Sequence, residues 1–525
     1  MKKILFVLLF IQLKSIAQKA DYWQQYLHYS IEVSLNDKEK SITGFEKIVY
    51  TNNSPKTLDF IWFHIYPNAY KNKNTALFQQ LENDKERKKE SVKYGYIDGL
   101  SFSVDGKAAK TKPHKDHIDI IKLILPEPLL PGKSITIATP FKVYLPSYFS
   151  RSGYADNEFM ICQWYPKPAV YDKDGWHEMP YLDMGEFYSE YATYNVSITV
   201  PADYIVAATG NMLTTHEKEM YKKLGTANVA NKLESPQLYK PLNNNATKTL
   251  VYHQDSVPDF AWFADKDFVI QYDTLQLNSG KIIDVFTYYH NKRKTVWNNS
   301  IDFVKDATKA YSNWIGEYAY SIVQAVEGPK NNASGGMEYP TITLITSPDA
   351  DSKILDAVIA HEVGHNWFMS MLGSNERKHA WLDEGLNSYY EFRYEAEKYR
   401  ANFMLGNFIP KKYKELSADE FLDNVYNMFQ NFFPLNEIID KPSDEFTTSM
   451  AYGITSYVKA AIWMHAIEKT IGKEIVDKAF QLYFSKWKFK HPKPNDLQAA
   501  FEQVTGKKFN KTFLLLKQEG VINFR

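Results

Sequence analysis

The sequence has almost no cysteine, and its charges leave no excess of either sign. Cys162 is the only cysteine among 525 residues, so the fold forms without an internal disulfide. Lysine plus arginine and aspartate plus glutamate number 62 each, and such a balanced chain has no overall field that recruits nucleic acid. We therefore expect no nucleic-acid partner.

Long hydrophobic runs are also missing, apart from one short run near the N-terminus. Residues 4–13 are mostly apolar, follow Lys2 and Lys3, and precede a small-x-small pattern that ends at Ala17. The run is about half as long as the ~20 residues that a spanning helix needs. These features are typical of a cleaved signal peptide over residues 1–17. We expect export to a periplasm or to the extracellular space, with no transmembrane span in the mature chain.

The remaining composition is that of a globular protein with more than one domain. Hydrophobic residues make up 44% and charged residues 24%, and 525 residues exceed what one core usually organises. From about residue 25 to 285, apolar and polar residues alternate between turn signals, whereas helical spacing dominates from about residue 290. The pattern predicts a multidomain α+β fold, with an antiparallel β-rich domain over 18–288 and a mainly helical domain over 289–525.

The segment AHEVGHNWF, residues 360–368, contains two histidines at helical spacing. Asp351 or Ser352 can cap this helix, and His361 and His365 lie one turn apart on the same face. Zinc accepts such imidazole nitrogens at about 2.0–2.1 Å. By chance, the H-E-x-x-H pattern arises in about one chain in fifty of this length, so a third ligand decides whether the pair binds metal.

Glu384 is the predicted third ligand. A helix that ends at Gly373, followed by a turn over 374–378, returns the chain antiparallel and places Glu384 beside the histidines. Asp383 points elsewhere on the returning helix and is predicted to cap it. Two histidines and one glutamate leave the fourth position of a tetrahedral zinc ion open, which is the arrangement of a catalytic site.

Glu362 follows His361 directly and is rotated from it by about 100° around the helix. Its carboxylate is thus predicted beside the metal, where it can accept a proton from an attacking water without displacing a ligand. The predicted chemistry is hydrolysis at a carbonyl group, and we favour a peptide bond as the substrate.

Together with the stretches GGMEYP, HNWF and WLDEGLNSYYE, the metal motif resembles peptidase family M1, the gluzincin aminopeptidases. The resemblance implies one zinc ion per chain and a thermolysin-like catalytic domain after the β-rich domain. The segment NDLQAAFEQVTGKKFNKTF is similar to the end of that catalytic domain. We therefore expect a chain without the C-terminal helical domain of longer relatives.

The resemblance also implies how the substrate is held. In the family, a G-x-M-E-N stretch lies along the cleft, and Gly335, Gly336 and Glu338 take the matching positions here. Glu338 is implied to bind the free amino group of the substrate, while the glycines let the substrate backbone approach closely. Tyr339 stands where the family has asparagine, which changes the expected shape of the first specificity pocket.

Two further roles follow from the same resemblance. The family tyrosine that stabilises the oxyanion matches Tyr457 in AYGITSYVKAA, with Tyr452 as the alternative, although Ala460 stands where glycine is usual. A glutamine or glutamate of the β domain joins the amine anchor in the family, and Gln163 in FMICQWYPKPAVYD takes that position.

The leading hypothesis is a zinc-dependent aminopeptidase that releases N-terminal residues from peptides. A zinc endopeptidase or a dipeptidyl-type peptidase on the same scaffold is the alternative if Tyr339 prevents amine capture. A noncatalytic binding protein that keeps the fold is the alternative from another class. Against it, all the expected metal ligands, the base and a candidate tyrosine are present.

Overall fold

The computed structural model describes residues 22–85, 92–231, 235–241, 246–331, 334–347 and 349–522. The expected signal peptide, residues 1–17, lies outside these ranges. Within them, no helix combines the length and the apolar character that crossing a membrane requires.

Strands occupy much of the described chain up to residue 290. In chain order the strands are β1 Tyr26–Asn36, β2 Ser41–Thr51, β3 Leu58–His64, β4 Tyr96–Asp98, β5 Ser103–Val104, β6 Lys107–Ala108, β7 Lys110–Pro113, β8 Ile120–Leu129, β9 Ser134–Tyr144, β10 Gly153–Ala155, β11 Glu158–Ile161, β12 Lys167–Pro168, β13 Tyr171–Asp172, β14 Gly175–Trp176, β15 Ala192–Pro201, β16 Ile205–Ala208, β17 Asn211–Met212, β18 Thr247–Val257, β19 Trp262–Asp265, β20 Phe268–Gln276, β21 Ile282–His290, β22 Ile322–Glu327, β23 Gly336–Met337 and β24 Ile342–Ile345.

Helices dominate after residue 290, with two earlier ones in the β-rich region. The α-helices are α1 Ala76–Asn83, α2 Thr215–Ala230, α3 Lys294–Trp297, α4 Ser300–Trp314, α5 Ser352–His365, α6 Glu376–His379, α7 Glu384–Tyr399, α8 Ala418–Phe432, α9 Ser449–Gly453, α10 Ala460–Ile471, α11 Lys473–Trp487, α12 Pro494–Thr505 and α13 Asn510–Leu514. Two π-helical segments, Asn366–Met371 and Ile454–Lys459, follow α5 and α9 directly.

The largest sheet gathers nine strands of the N-terminal region. Its order is β17-β18-β15-β1-β2-β9-β5-β6, with β4 paired to β9. Its pairs are antiparallel except for β1 and β15, which run parallel from Leu27 opposite Ala192 to Ser34 opposite Thr199. Every second side chain of β1 is buried, because successive residues of a strand face opposite sides of the sheet. The alternation in the sequence therefore predicts the strands correctly, although it does not show the parallel pair.

A five-stranded sheet opens the second region of the chain. Its order is β20-β21-β22-β24-β23, and β21, β22 and β24 run parallel to one another. The predicted domain boundary between residues 288 and 289 falls inside β21, which spans Ile282–His290. The change of sheet occurs between Asp265, where β19 ends, and Phe268, where β20 begins. The periodicity stays strand-like across that point, so the sequence marks the first helix and not the change of sheet.

The helices of the second region pack on one another and on this sheet. Helix α4 contacts α5, α5 contacts α7, and α7 contacts α10. Buried apolar side chains from both regions form one continuous cluster that runs from Leu27 to Ile522 among the described residues. The expected fold class, an α+β protein with a β-rich first region and a mainly helical second region, is confirmed. Direct packing of α5 on α7 brings the predicted metal ligands together.

Candidate metal centre and substrate cleft

Helices α5 and α7 supply the three predicted metal ligands. Helix α5 begins at the cap Asp351, whose carboxylate accepts hydrogen bonds from the backbone amides of Lys353 and Ile354. One turn apart near its end, His361 and His365 hold their Nε2 atoms 3.1 Å from each other. Glu384 is the first residue of α7, and its Oε2 atom lies 3.5 Å from His361 Nε2 and 3.3 Å from His365 Nε2. The structure therefore gathers all three donors at one point.

These separations fit a zinc ion. Two donors bound at about 2.0–2.2 Å to a tetrahedral ion lie about 3.3–3.6 Å apart, close to the three distances found here. The donors are two imidazole nitrogens and a carboxylate oxygen, a set that zinc prefers over calcium or magnesium. His365 and Glu384 are buried, and the His361 side chain is 13% exposed. Such an arrangement would be costly without a cation, because these polar groups face one another largely away from bulk water.

A carboxylate orients each histidine from behind. The Nδ1 atom of His361 lies 3.0 Å from Glu391 Oε2, and the Nδ1 atom of His365 lies 2.6 Å from Asp383 Oδ1. Such contacts fix the ring so that Nε2 faces the metal, and they make the imidazole a stronger ligand. Asp383 occupies the N-cap position of α7, as predicted, but its side chain makes no cap hydrogen bond and turns to His365 instead.

Neither orienting role was predicted from the sequence. Glu391 lies seven residues after Glu384, which is two helical turns along the same face, so a spacing signal existed. Asp383 gave no such signal, because its direction depends on the irregular turn Ala380–Leu382 that precedes α7.

The electrostatics of the cluster favour a bound cation. Burial alone would lower the pKa of His361, but the carboxylates of Glu384 and Glu391 outweigh it and raise the pKa to about 10. The same negative charge that would hold a proton on the imidazole attracts a divalent ion to its Nε2 atom. Burial raises the pKa of Glu362 to about 7, against the opposing effect of His361 and His365. A carboxylate with that pKa is suited to exchange protons at neutral pH.

Both π-helical segments flank this centre. The first continues α5 directly after His365, and the second carries Tyr457, whose ring stacks on His361 with 5.9 Å between centroids and 13° between planes. Tyr452 packs edge-on against Tyr457 at 6.0 Å. Both tyrosines line the same cavity, so the structure keeps both candidates and places Tyr457 directly against a metal ligand.

The cavity above the ligands is a cleft of about 380 Å³. Its lining includes His361, Glu362, His365, Glu384, Gly335, Gly336, Glu338, Tyr452 and Tyr457. Tyr339 does not belong to this lining. It is buried beside Phe263 of β19, with 6.2 Å between ring centroids, and borders a smaller neighbouring cavity instead. Tyr339, which stands where the family has asparagine, therefore does not narrow the main cleft directly.

Gly336 makes room for the predicted base. A Cβ atom at this position would lie 2.5 Å from Glu362 Oε1 and 2.6 Å from its Cδ and Cγ atoms. Gly335 is less constrained, because a Cβ there would meet only Ser347 Oγ at 3.3 Å and Val358 at 3.8 Å. Both glycines were predicted to admit substrate. The structure gives Gly336 another role, because a side chain there would displace the carboxylate of Glu362.

Glu338 lies at an acidic corner of the cleft. Its carboxylate belongs to a group with Glu186 and Glu384 in which the three oxygens lie within 4.8 Å of one another. Burial, followed by the neighbouring charge of Glu186, raises the pKa of Glu338 well above its usual range. Arg151 forms a buried ion pair with Glu186, and this pair was not predicted from the sequence. A corner of this kind stabilises a cationic group that enters it.

Gln163 does not line the main cleft. Its side-chain amide donates to Asp259, and its Oε1 atom accepts a hydrogen bond from Lys167 at 2.9 Å. It borders the smaller cavity, which shares Glu186 and Glu338 with the cleft. Both ends of its amide have buried partners, so Gln163 would have to give up these contacts to reach a substrate amine. Its part in the amine anchor stays a prediction. Glu186 of the same β-rich region lines the cleft itself.

A helix pair with two histidines and a glutamate, an adjacent glutamate and a cleft above them defines the class of zinc hydrolases. The comparison with known families narrows this class. Residues 300–514 match the model of the peptidase family M1 domain. That part of the chain is a family M1 domain, as the motifs in the sequence indicated.

Individual relatives agree with this assignment. Leucine aminopeptidase 2 of Chaetomium globosum is 31% identical over 167 residues, which is 31% of this chain and 26% of that protein. Human glutamyl aminopeptidase is 24% identical over 334 residues, 60% of this chain and 30% of that protein. The matches thus span less than a third of the length of these relatives.

A solved structure shows the same fold over nearly the whole chain. An M1 zinc metallopeptidase from Deinococcus radiodurans aligns with a TM-score of 0.62 and 14% sequence identity. The alignment covers 95% of this chain and 95% of that chain. The architecture of a β-rich region followed by a helical region is therefore shared by both proteins.

Proposed function

We propose that the protein is a zinc-dependent aminopeptidase that removes N-terminal residues from peptides. The observation that carries the proposal is the closeness of the acidic corner to the metal ligands. Carboxylate oxygens of Glu338 lie within 4.8 Å of Glu384 in one group and of Glu362 and His365 in another. The relatives named as aminopeptidases support the same activity.

The covalent geometry of a peptide explains why this spacing favours cleavage of the first peptide bond. In a peptide, the terminal nitrogen lies about 2.5 Å from the carbonyl carbon of the same residue, given bonds of about 1.5 Å. An ammonium group paired with Glu338 therefore leaves only the first carbonyl beside the metal ligands. The next carbonyl is more than 3 Å further along the chain, since consecutive residues span about 3.3–3.6 Å.

The chain's own residues then have separate tasks. His361, His365 and Glu384 would hold the zinc ion, while Asp383 and Glu391 fix the two rings. The chemistry that a bound zinc ion supplies is Lewis-acid polarisation of water and of the scissile carbonyl.

Two further side chains complete the reaction. Glu362, with its raised pKa, accepts the proton from the attacking water and passes it to the leaving amine. The hydroxyl of Tyr457, which lines the cleft, donates to the oxygen that becomes negative during attack.

The test compares matched peptide amides with a free or an acetylated N-terminus. Acetylation removes the charge that Glu338 binds, so kcat/KM falls by about 10–100-fold, the usual value of a hydrogen bond to a charged group. Glu338→Gln lowers kcat/KM for the free peptide and leaves the acetylated one nearly unchanged. Chelation abolishes both activities, and added zinc restores them. Equal cleavage of both peptides by the wild-type protein favours an endopeptidase and ends the aminopeptidase proposal.

We also propose that the protein is exported. The support is the pattern of residues 1–17, a positive start, a short apolar run and a small-x-small site. Terminal sequencing of the protein from a secreting bacterial host should begin at Gln18. An intact Met1 in all of the material contradicts export through cleavage.

A further inference from the structure

A second cluster of one histidine and two carboxylates lies outside the cleft. Glu158 begins β11, Asp265 ends β19, and His290 ends β21. A donor atom from each of these side chains lies within 4.8 Å of the other two. Strands β11 and β19 belong to a four-stranded sheet of the β-rich region, whereas β21 belongs to the five-stranded sheet of the second region. The cluster therefore lies where the two regions meet.

The two carboxylates are buried more deeply than an ordinary surface pair. Glu158 is 8% exposed and Asp265 is 5% exposed. The Oε1 atom of Glu158 is buried and has no hydrogen-bond partner within the described ranges. A buried carboxylate oxygen without a partner destabilises the fold, because it loses its hydrogen bonds to water and gains none from the protein. A cation at the centre of the cluster removes that cost.

His290 is oriented in the same way as the histidines of the first centre. Its Nδ1 atom lies 3.3 Å from Glu327 Oε2, which also accepts a 2.7 Å hydrogen bond from the His290 backbone amide. Its Nε2 atom faces the carboxylates, 3.7 Å from Asp265 Oδ2. A carboxylate behind the ring and a free nitrogen in front are the usual arrangement of a metal-ligating histidine.

Charge balance supports a divalent ion. Arg293 lies with its Nε atom 3.6 Å from Glu327 Oε1, so the carboxylate behind His290 has its own partner. Lys292 is close enough to act on Glu158 but is solvent-exposed, so water screens its charge. Burial raises the pKa of Glu158 to about 8. Burial alone would lower the pKa of His290, but Asp265 and Glu327 outweigh it and raise that pKa to about 10. Two protons carry the same positive charge as a divalent ion, so an ion that binds here displaces protons and keeps the charge of the cluster balanced.

We propose that Glu158, Asp265 and His290 form a second, structural metal site for a divalent transition-metal ion such as zinc. The imidazole ligand favours such an ion over calcium or magnesium, which prefer oxygen donors alone. Because its ligands come from strands of two sheets, the bound ion ties the β-rich region to the region that carries the cleft. None of the three residues lines the described cleft, so we expect the ion to stabilise the fold without contacting the substrate.

The first experiment measures metal content. The purified full-length protein is saturated with zinc, freed of loose metal by gel filtration, and its zinc is determined by mass spectrometry. The wild-type protein should retain about two ions per chain, and Glu158→Gln and Glu384→Ala about one each, since ligand loss empties one site. The double variant should retain none.

Thermal unfolding separates the second site from activity. Added zinc should raise the Tm of Glu384→Ala, in which only the second site is intact, because a ligand that binds the folded state stabilises it. The same addition should not raise the Tm of Glu384→Ala/Glu158→Gln. If the Glu158 variants do not fold, Asp265→Asn replaces them in both experiments.

Three outcomes overturn the proposal. If the wild-type protein retains one ion per chain and Glu384→Ala retains none, only the first centre binds metal. Two ions in both the wild-type protein and Glu158→Gln place the second ion elsewhere. An equal Tm rise in Glu384→Ala with and without Glu158→Gln shows that zinc stabilises the fold without these ligands.

Discussion

Two histidine–carboxylate clusters in this molecule share one design and differ in their surroundings. In both, a carboxylate contacts histidine Nδ1 and leaves Nε2 facing other donors, as Glu391 does for His361 and Glu327 does for His290. Only the first cluster opens onto the 380 Å³ cleft, and only it has a further glutamate, Glu362, beside the ligands. The ligands alone thus define a place for an ion, whereas a base and room for substrate define a catalyst.

The largest expected effect comes from removing the base that only the first cluster has. Glu362→Gln keeps the size of the side chain but cannot accept a proton, so kcat should fall by about 10²–10⁴. Zinc content should stay at the wild-type value, because Glu362 is not a ligand. A zinc-replete variant with near-normal kcat would contradict the role of Glu362 and remove the main difference between the two clusters.

Tyr457 provides the next test, because the ring that packs against His290 at the second cluster is Phe268, which has no hydroxyl. Tyr457→Phe loses the hydroxyl that is proposed to stabilise the oxyanion, so kcat should fall by about 10²–10³ with little change in KM. Tyr452→Phe is the matched control, since its ring lines the same cleft and packs against Tyr457. A larger loss in the control than in Tyr457→Phe would transfer the role to Tyr452.

Gly336 tests how closely the base must be placed. In Gly336→Ala the new methyl group would overlap the Glu362 carboxylate, and a displacement of about 1 Å can cost about 10² in kcat. Gly335→Ala is the control, because a methyl group there meets only ordinary or slightly tight contacts. Similar kcat values for the two variants would show that Gly336 does not position Glu362.

The smallest effect concerns the feature that both clusters share. Asp383→Asn leaves the shape of the contact to His365 but removes its charge, and loss of such a partner lowers metal affinity by about 10–100-fold. Asp440→Asn is the control, because Asp440 contacts His379 Nδ1 at 2.6 Å without a metal ligand nearby in the described cluster. Competition with a chromogenic chelator measures the zinc affinity of both variants. An equal change in the two would show that Asp383 does not support metal binding through His365.

The two clusters also show why one was predictable from sequence and the other was not. His361 and His365 lie on one helix, and Glu384 begins the helix that packs against it, so helical periodicity is enough to bring them together. Glu158, Asp265 and His290 come from three strand ends that are far apart along the chain. Only the pairing of the sheets places them together, and a single sequence does not contain that information.

The same reasoning applies to the fold and to the cleft. Alternation predicts the β-rich region well, but it cannot show that β20 and β21 join the sheet of β22, with β21 paired to β22. Gln163 matches a family position, yet its amide is taken up by Asp259 and Lys167. Such outcomes depend on tertiary partners, and local periodicity does not determine which buried partner a polar side chain finds.

The most direct measurement for the principal centre is anomalous diffraction from zinc-loaded crystals, recorded above and below the zinc absorption edge. The expected result is a strong peak about 2.0–2.2 Å from His361 Nε2, His365 Nε2 and Glu384, with Glu362 near it but not bound. A map without a peak at these atoms, from crystals in which Glu384 turns away from both imidazoles, would contradict the proposed hydrolase.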